Sequence, residues 1–123
     1  MTDRPITILL VDDDHLIRLG IKVTLMNLGY RVIGMASTGP QAILLAAQHR
    51  PSHILMDMRL KGPMDGVDAA NEIRRTLACR MVFVTGSNEP DTLGRINTAA
   101  PDALLIKPVL PHELVEALGP PNA

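Results

Sequence analysis

Aromatic side chains are nearly missing from this chain: one Tyr, one Phe and no Trp in 123 residues. A core must therefore be built from Leu, Ile, Val, Met and Ala. One cysteine, Cys79, excludes an internal disulfide and fits a reducing compartment. Neither sign of charge dominates. Twelve Lys and Arg face thirteen Asp and Glu, for a formal net charge of −1. The electrostatic footprint of a nucleic-acid binder is lacking. No apolar run approaches the ~20 residues of a membrane-spanning helix. The start, Met1-Thr2-Asp3-Arg4-Pro5, has no signal-peptide pattern. These absences lead us to expect a cytoplasmic protein that binds neither membrane nor nucleic acid. No repeat or low-complexity segment interrupts the chain. With 46% hydrophobic residues, a globular fold is favoured over disorder. The length suits one domain with a real core.

What is present is a set of short apolar runs that end abruptly in polar groups. His53-Ile54-Leu55-Met56 runs into Asp57. Ile8-Leu9-Leu10-Val11 runs into Asp12-Asp13, and Met81-Val82-Phe83-Val84 into Thr85. Runs of this kind read as strands buried on both faces. Their carboxyl ends are where open α/β sheets place chemistry.

Taken in order, Ile6 to Val11 is the first predicted strand and Asp14 to Asn27 the first helix, stopped by Gly29. That helix carries two apolar stripes: Ile17, Ile21, Thr24, Leu25 and Leu28, and beside them Leu16, Leu19, Val23 and Met26. Only Arg18 and Lys22 make a charged face. The second strand is predicted over Tyr30–Ala36, and a helix with Pro40 in its first turn runs to about Gln48. The Asp57 strand follows, then a loop and a third helix over about Met64–Leu77. Met81–Val84 is the fourth strand. A fourth helix opens at Gly86-Ser87-Asn88-Glu89-Pro90, weakened by Gly94. Ala103–Ile106 is the fifth strand, ended by Lys107-Pro108, and Pro111–Leu118 is a short last helix. Gly119-Pro120-Pro121 follows, and neither a linker nor a second domain is expected. Five alternating strands and helices predict an α/β fold: a five-stranded parallel sheet covered on both faces, in the doubly wound order 2-1-3-4-5.

In that order the first and third strands are neighbours, and Asp12, Asp13 and Asp57 share one crevice. Three carboxylates there repel unless a cation joins them. Their oxygens suit a hard ion such as Mg²⁺. Thr85 and Lys107 line the same edge. A carboxylate nucleophile, a divalent ion, a lysine and a hydroxyl suit phosphoryl transfer.

These residues resemble the receiver domain of two-component response regulators. The markers are Leu10-Val11-Asp12-Asp13, Met56-Asp57-Met58, Val84-Thr85-Gly86 and Ile106-Lys107-Pro108, each at a strand's carboxyl end. The resemblance covers about the whole chain. It implies a flavodoxin-like receiver fold in one receiver domain, residues 1–123, without an output domain. It implies that Asp57 takes a phosphoryl group from a phosphohistidine on a histidine kinase or a histidine phosphotransfer protein. Asp13 would hold Mg²⁺ directly, Asp12 mainly through water, and the Arg59 backbone carbonyl would be a further ligand. Thr85 and Lys107 would contact phosphoryl oxygens, and the Lys107–Pro108 peptide would be cis. Arg59 and Ser87, two positions past Asp57 and Thr85, would govern water access and so the lifetime of the phosphoaspartate. The chain departs from the family in three places. Leu104 stands where an aromatic switch residue is usual. The loop Leu60-Lys61-Gly62-Pro63 before Met64-Asp65-Gly66 is longer, and the last helix is short.

Plainer roles compete for the same residues. Asp12, Asp13 and Asp14 are all competent helix caps, and Asp14 is assigned that role. Thr85 could cap the fourth helix. His15, His49, His53 and His112 show no ligand spacing and are read as surface or helix-end residues. Cys79 is read as inert and the methionines as core filler. A short last helix would leave part of the first uncovered, so a homodimer or partner contact through those two helices is expected. A phosphorelay shuttle, a phosphate sink for a kinase and a small Mg²⁺-dependent aspartyl-phosphate phosphatase are the alternative functions. The phosphatase lacks room for a cap domain, and a flavodoxin-like cofactor binder would want aromatics where this chain has carboxylates. Enzymatic activity on other substrates is not expected.

Overall fold

A computed structural model describes residues 5–121. Residues 1–4, where the reading for a targeting signal begins, lie outside it. Five strands form one sheet: β1 (Thr7–Val11), β2 (Arg31–Ala36), β3 (His53–Asp57), β4 (Arg80–Thr85) and β5 (Ala103–Ile106). Their order is β2-β1-β3-β4-β5 and all pairs are parallel, as expected from the alternating pattern. Helices α1 (His15–Asn27), α2 (Gly39–His49), α3 (Gly66–Arg74), α4 (Pro90–Asn97) and α5 (Pro111–Leu118) connect or follow the strands.

The period of two along each strand divides the core into two layers. Leu9, Val11, Ile54, Met56, Met81 and Phe83 point to one face, where Ala42, Ala46, Val67, Ile73 and Ile96 from α2, α3 and α4 cover them. Ile8, Leu10, Leu55, Val82 and Val84 point to the other, beneath Leu25 of α1 and Leu114 and Leu118 of α5. The single Phe83 is fully buried, and aliphatic side chains fill the rest.

Several boundaries differ from the sequence reading, each for a local reason. Tyr30 is not in β2. Its backbone N–H donates to the Leu25 carbonyl at 2.9 Å, completing the end of α1, with Gly29 at φ 97° in the left-handed region. Its hydroxyl donates to the carbonyl of Gly119. Beside it, the Arg80 Nε donates to Ala117 O at 2.7 Å, so side chains clasp the carboxyl end of α5. Helix α3 starts at Gly66 rather than Met64 because Asp65 caps it. Asp65 accepts from Asp68 N at 2.9 Å while Asp68 accepts from Asp65 N at 3.2 Å, a reciprocal box. The same helix stops at Arg74 and finishes in tight turns, with Arg75 and Thr76 donating three residues back. Strand β4 extends to Thr85, and α4 begins only at Pro90. His53 departs from the surface reading: it is half-buried at the start of β3, 2.8 Å from Ser52 Oγ, and burial lowers its pKa. Met26 is exposed rather than core filler. Among the described residues no helix is long and apolar enough to cross a membrane.

Candidate functional site

The order of the sheet brings four strand ends to one edge. Because β1 and β3 are hydrogen-bonded neighbours, Asp12 and Asp13, just past β1, meet Asp57, the last residue of β3. Oxygen atoms of these three carboxylates lie within 4.8 Å of one another. Thr85 ends β4 and Lys107 follows β5. The Lys107 Nζ reaches between two of the acids, 3.0 Å from Asp12 Oδ2 and 3.2 Å from Asp57 Oδ2.

Asp12 is fixed from several sides. Its Oδ1 accepts from Asp14 N at 2.9 Å, and its backbone N–H donates to Ala36 O at 3.1 Å. The Arg18 guanidinium donates to the Asp12 carbonyl at 2.7 Å. Asp14 is the cap of α1, accepting from Ile17 N at 3.0 Å. Asp57 is held through its backbone. A Cβ on Gly66 would stand 2.1 Å from the Asp57 carbonyl oxygen, so only glycine lets α3 begin against this strand end. Gly66 N then donates to Met58 O at 2.8 Å. The longer loop between β3 and α3 is pinned at its far side by a bridge between Lys61 and Thr38, and Met64 rests against Gly39.

An open pocket of about 590 Å³ lies over these groups, lined by Asp13, Asp57, Arg59, Thr85, Ser87 and Lys107, among others. Thr85 Oγ1 is engaged with the next loop: it accepts from Ser87 N at 3.1 Å and lies 3.3 Å from Ser87 O. Its hydroxyl caps this turn and not α4. The Lys107–Pro108 peptide is cis, as the resemblance implies.

Electrostatics follow from burial. Asp57 is 5% exposed. Burial first, and then the charge of Asp12, push its pKa up to about 6, against the opposing pull of Lys107. Burial alone would lower Lys107, but hydrogen bonds and charge from Asp12 and Asp57 outweigh it and hold the ammonium above its ordinary value. Three carboxylates thus face one ammonium, and Asp13, half-exposed, has no ion-pair partner among the described residues. This all-oxygen, net-negative donor set fits a hard divalent cation such as Mg²⁺.

The structure therefore gathers Asp12, Asp13, Asp57, Arg59, Thr85 and Lys107 about one pocket. Sequence reasoning missed three features. Arg18 was read only as part of a charged helix face, yet it braces the Asp12 carbonyl. Arg95 of α4 meets Asp65 at 3.2 Å and Asp68 at 2.8 Å. That network depends on how α3 and α4 pack, and no local spacing announces it. Glu89 also lines the pocket, which its place before Pro90 did not signal.

Comparison with known proteins agrees with this geometry. Residues 8–119 match the model of the response regulator receiver domain. The transcriptional regulatory protein PdtaR of Mycobacterium tuberculosis is 32% identical over 114 residues, 93% of this chain and 55% of that protein. The nitrate/nitrite response regulator NarL of Escherichia coli is 37% identical over 117 residues, 93% of this chain and 53% of that protein. The chain thus spans about half the length of these curated relatives. Among solved structures, the signal receiver domain of a modulated diguanylate cyclase from Desulfovibrio desulfuricans superposes with a TM-score of 0.86 at 31% identity, covering 94% of this chain and 90% of that one. The signal receiver domain of NarL from Mycobacterium tuberculosis gives 0.85 at 28% identity, covering 93% of each. With its sheet order, its acidic pocket and a family match across nearly every described residue, the chain belongs to the receiver domains of two-component response regulators.

Proposed function

We propose that this receiver domain accepts a phosphoryl group on Asp57 from a phosphohistidine of a sensor kinase or phosphotransfer protein, and passes the signal on by protein–protein contact or relay. The reading is supported above all by one observation. A buried aspartate at a strand end sits 3.2 Å from a lysine ammonium, with two further carboxylates close enough to share a cation with it.

In the reaction, an Asp57 carboxylate oxygen forms the new bond to phosphorus as the phosphorus–nitrogen bond to the donor imidazole breaks. The imidazole leaves with the electron pair of that bond and takes up a proton. Mg²⁺ held by Asp13, Asp57 and the Arg59 carbonyl, with Asp12 acting mainly through water, would supply charge against the phosphoryl oxygens. Lys107 turns its ammonium from the carboxylates toward a phosphoryl oxygen. Thr85 gives up its bond to the Ser87 carbonyl and donates to another oxygen. That movement draws on the loop before α4 and carries the change outward. Leu104 is already packed against the core on the α4 side, so the response here works without an inward-swinging ring.

The test uses phosphoramidate, a small donor with a phosphorus–nitrogen bond. Mg²⁺-dependent addition of one phosphoryl group to the wild type is expected, with a much slower reaction in Lys107→Ala. Equal rates with and without Mg²⁺, or in the two proteins, would remove the basis for these roles.

A further inference from the structure

The carboxylate best placed to meet a cation is also the one least held. Asp13 is half-exposed and forms no ion pair among the described residues. Lys107 pairs instead with Asp12 and Asp57. The place of the Asp13 side chain is therefore set by its backbone, in the short turn between β1 and the Asp14 cap of α1. One side of that turn is tied to the sheet, where Asp12 N donates to Ala36 O at 3.1 Å. The other side is the peptide that joins Asp12 to Asp13. Among the described residues no backbone N–H takes its carbonyl, Asp12 O. Arg18 Nη1 donates to it instead, at 2.7 Å.

Arg18 is half-buried and reaches back over the first turn of α1. Its Nη2 lies 3.1 Å from His15 Nδ1, so the planar guanidinium has a partner on each arm. A charged donor bonds a carbonyl more strongly than a neutral one. A lysine ammonium, a single point charge on a flexible stem, would not fix the same plane. Arg18 does not line the pocket over the acids, and it forms an ion pair with none of them. Two effects on a bound cation therefore oppose each other. As a charge near the acids, the guanidinium repels Mg²⁺, and its removal would strengthen binding. As a brace on the peptide between two acids, it keeps Asp13 in place, and its removal would weaken binding. The signs differ, so the sign of the change decides which effect wins.

We propose that Arg18 is a positioning residue for the cation site: by gripping the Asp12–Asp13 peptide it holds Asp13 ready for Mg²⁺ and raises the affinity of the site. The inference rests on the reading of Asp13 as a direct ligand. The test follows Tm as MgCl₂ is raised from a chelated start, because a cation that binds the native chain stabilises it according to its affinity. Circular dichroism confirms the fold of each variant. Arg18→Ala should need about tenfold more Mg²⁺ for the same rise, the scale of loss when a group behind a metal ligand is removed. Arg18→Lys keeps the charge and should still need several-fold more. Lys22→Ala removes a cation from the same helix, one that solvent and salt screen, and should match the wild type within about twofold. With phosphoramidate as donor, Arg18→Ala should raise the Mg²⁺ concentration for half-maximal rate by the same factor. Its rate at saturating Mg²⁺ should stay within about twofold of wild type, as expected when only affinity is lost. Mg²⁺ bound by Arg18→Ala as tightly as by the wild type, or more tightly, overturns the proposal. So does full recovery in Arg18→Lys, which would make charge the active property, or a loss confined to Tm in EDTA, which would make the role structural. A wild type whose Tm ignores Mg²⁺ would strike the metal reading itself; a responsive wild type matched by Arg18→Ala strikes this inference alone.

Discussion

Replacing Asp57 with Asn should stabilise the metal-free protein, although it removes one half of an ion pair. The side chain is buried beside Asp12, and its carboxyl is pushed up to about 6. The ordinary value is 3.8. The folded state therefore prefers the protonated acid more than the unfolded chain does. The stability contributed by that preference is fully present below about pH 4 and is lost as pH rises through about 6. At about 1.4 kcal/mol per pH unit, ionised Asp57 costs the fold about 3 kcal/mol at neutral pH. The attraction of Lys107 is already counted in that value. Asn has nearly the same shape, keeps an acceptor for Lys107 and carries no charge. In EDTA at neutral pH, urea melts followed by far-UV circular dichroism should show Asp57→Asn more stable by about 2–3 kcal/mol, or by roughly 10 °C in Tm. Near pH 4 the two proteins should converge. Saturating Mg²⁺ should also narrow the gap, because a cation that binds the native wild type stabilises it by mass action. A variant no more stable than wild type in EDTA would refute the claim that crowded, buried carboxylates strain this pocket.

Other outcomes follow from the same geometry. Arg59→Ala should leave Tm nearly unchanged, because the side chain is exposed, while altering the lifetime of the phosphoaspartate; equal decay rates in the two proteins would count against Arg59 as a gate for water. Gly66→Ala drives a Cβ to 2.1 Å from the Asp57 carbonyl oxygen, so a loss of about 1–3 kcal/mol or more is expected on denaturation, with weaker Mg²⁺ affinity by calorimetry; a neutral substitution would mean that α3 can retreat freely. His53 is depressed by burial, so its neutral form is favoured by the fold and its contribution is lost as pH falls below about 6.5. In an Asp57→Asn background, His53→Gln should flatten the decline of Tm on mild acidification, and an unchanged slope would exclude His53 as its source.

The sheet order was legible because its signals are local and redundant. Short apolar runs such as Ile54-Leu55-Met56, bounded by turn residues, read as central strands, and each ends at a charge or hydroxyl that must find partners at an edge. The same logic brings Asp12, Asp13, Asp57 and Lys107 together from the sequence alone. Boundaries were less legible because they depend on which competing bond wins. Asp65 caps α3 two residues later than hydrophobic periodicity suggested, and Tyr30 completes α1 instead of opening β2. His53 was misread because a polar residue at a strand start has no periodic signature, and its burial comes from the neighbouring strands and the end of α5. The Arg95–Asp65–Asp68 network and the Arg18 brace depend on helix packing, which spacing along the chain does not encode. The second stripe of α1, by contrast, stood out in sequence as more apolar than one docking face needs, and it is exposed.

The central claim is that one buried aspartate becomes phosphorylated with the help of a divalent ion. Intact-mass and peptide mapping after incubation with acetyl phosphate and Mg²⁺ address it most directly. The account predicts a single added phosphoryl group, located on Asp57, absent in EDTA and absent in Asp57→Asn. Modification that persists in Asp57→Asn, maps to another residue, or proceeds equally without the metal would contradict it.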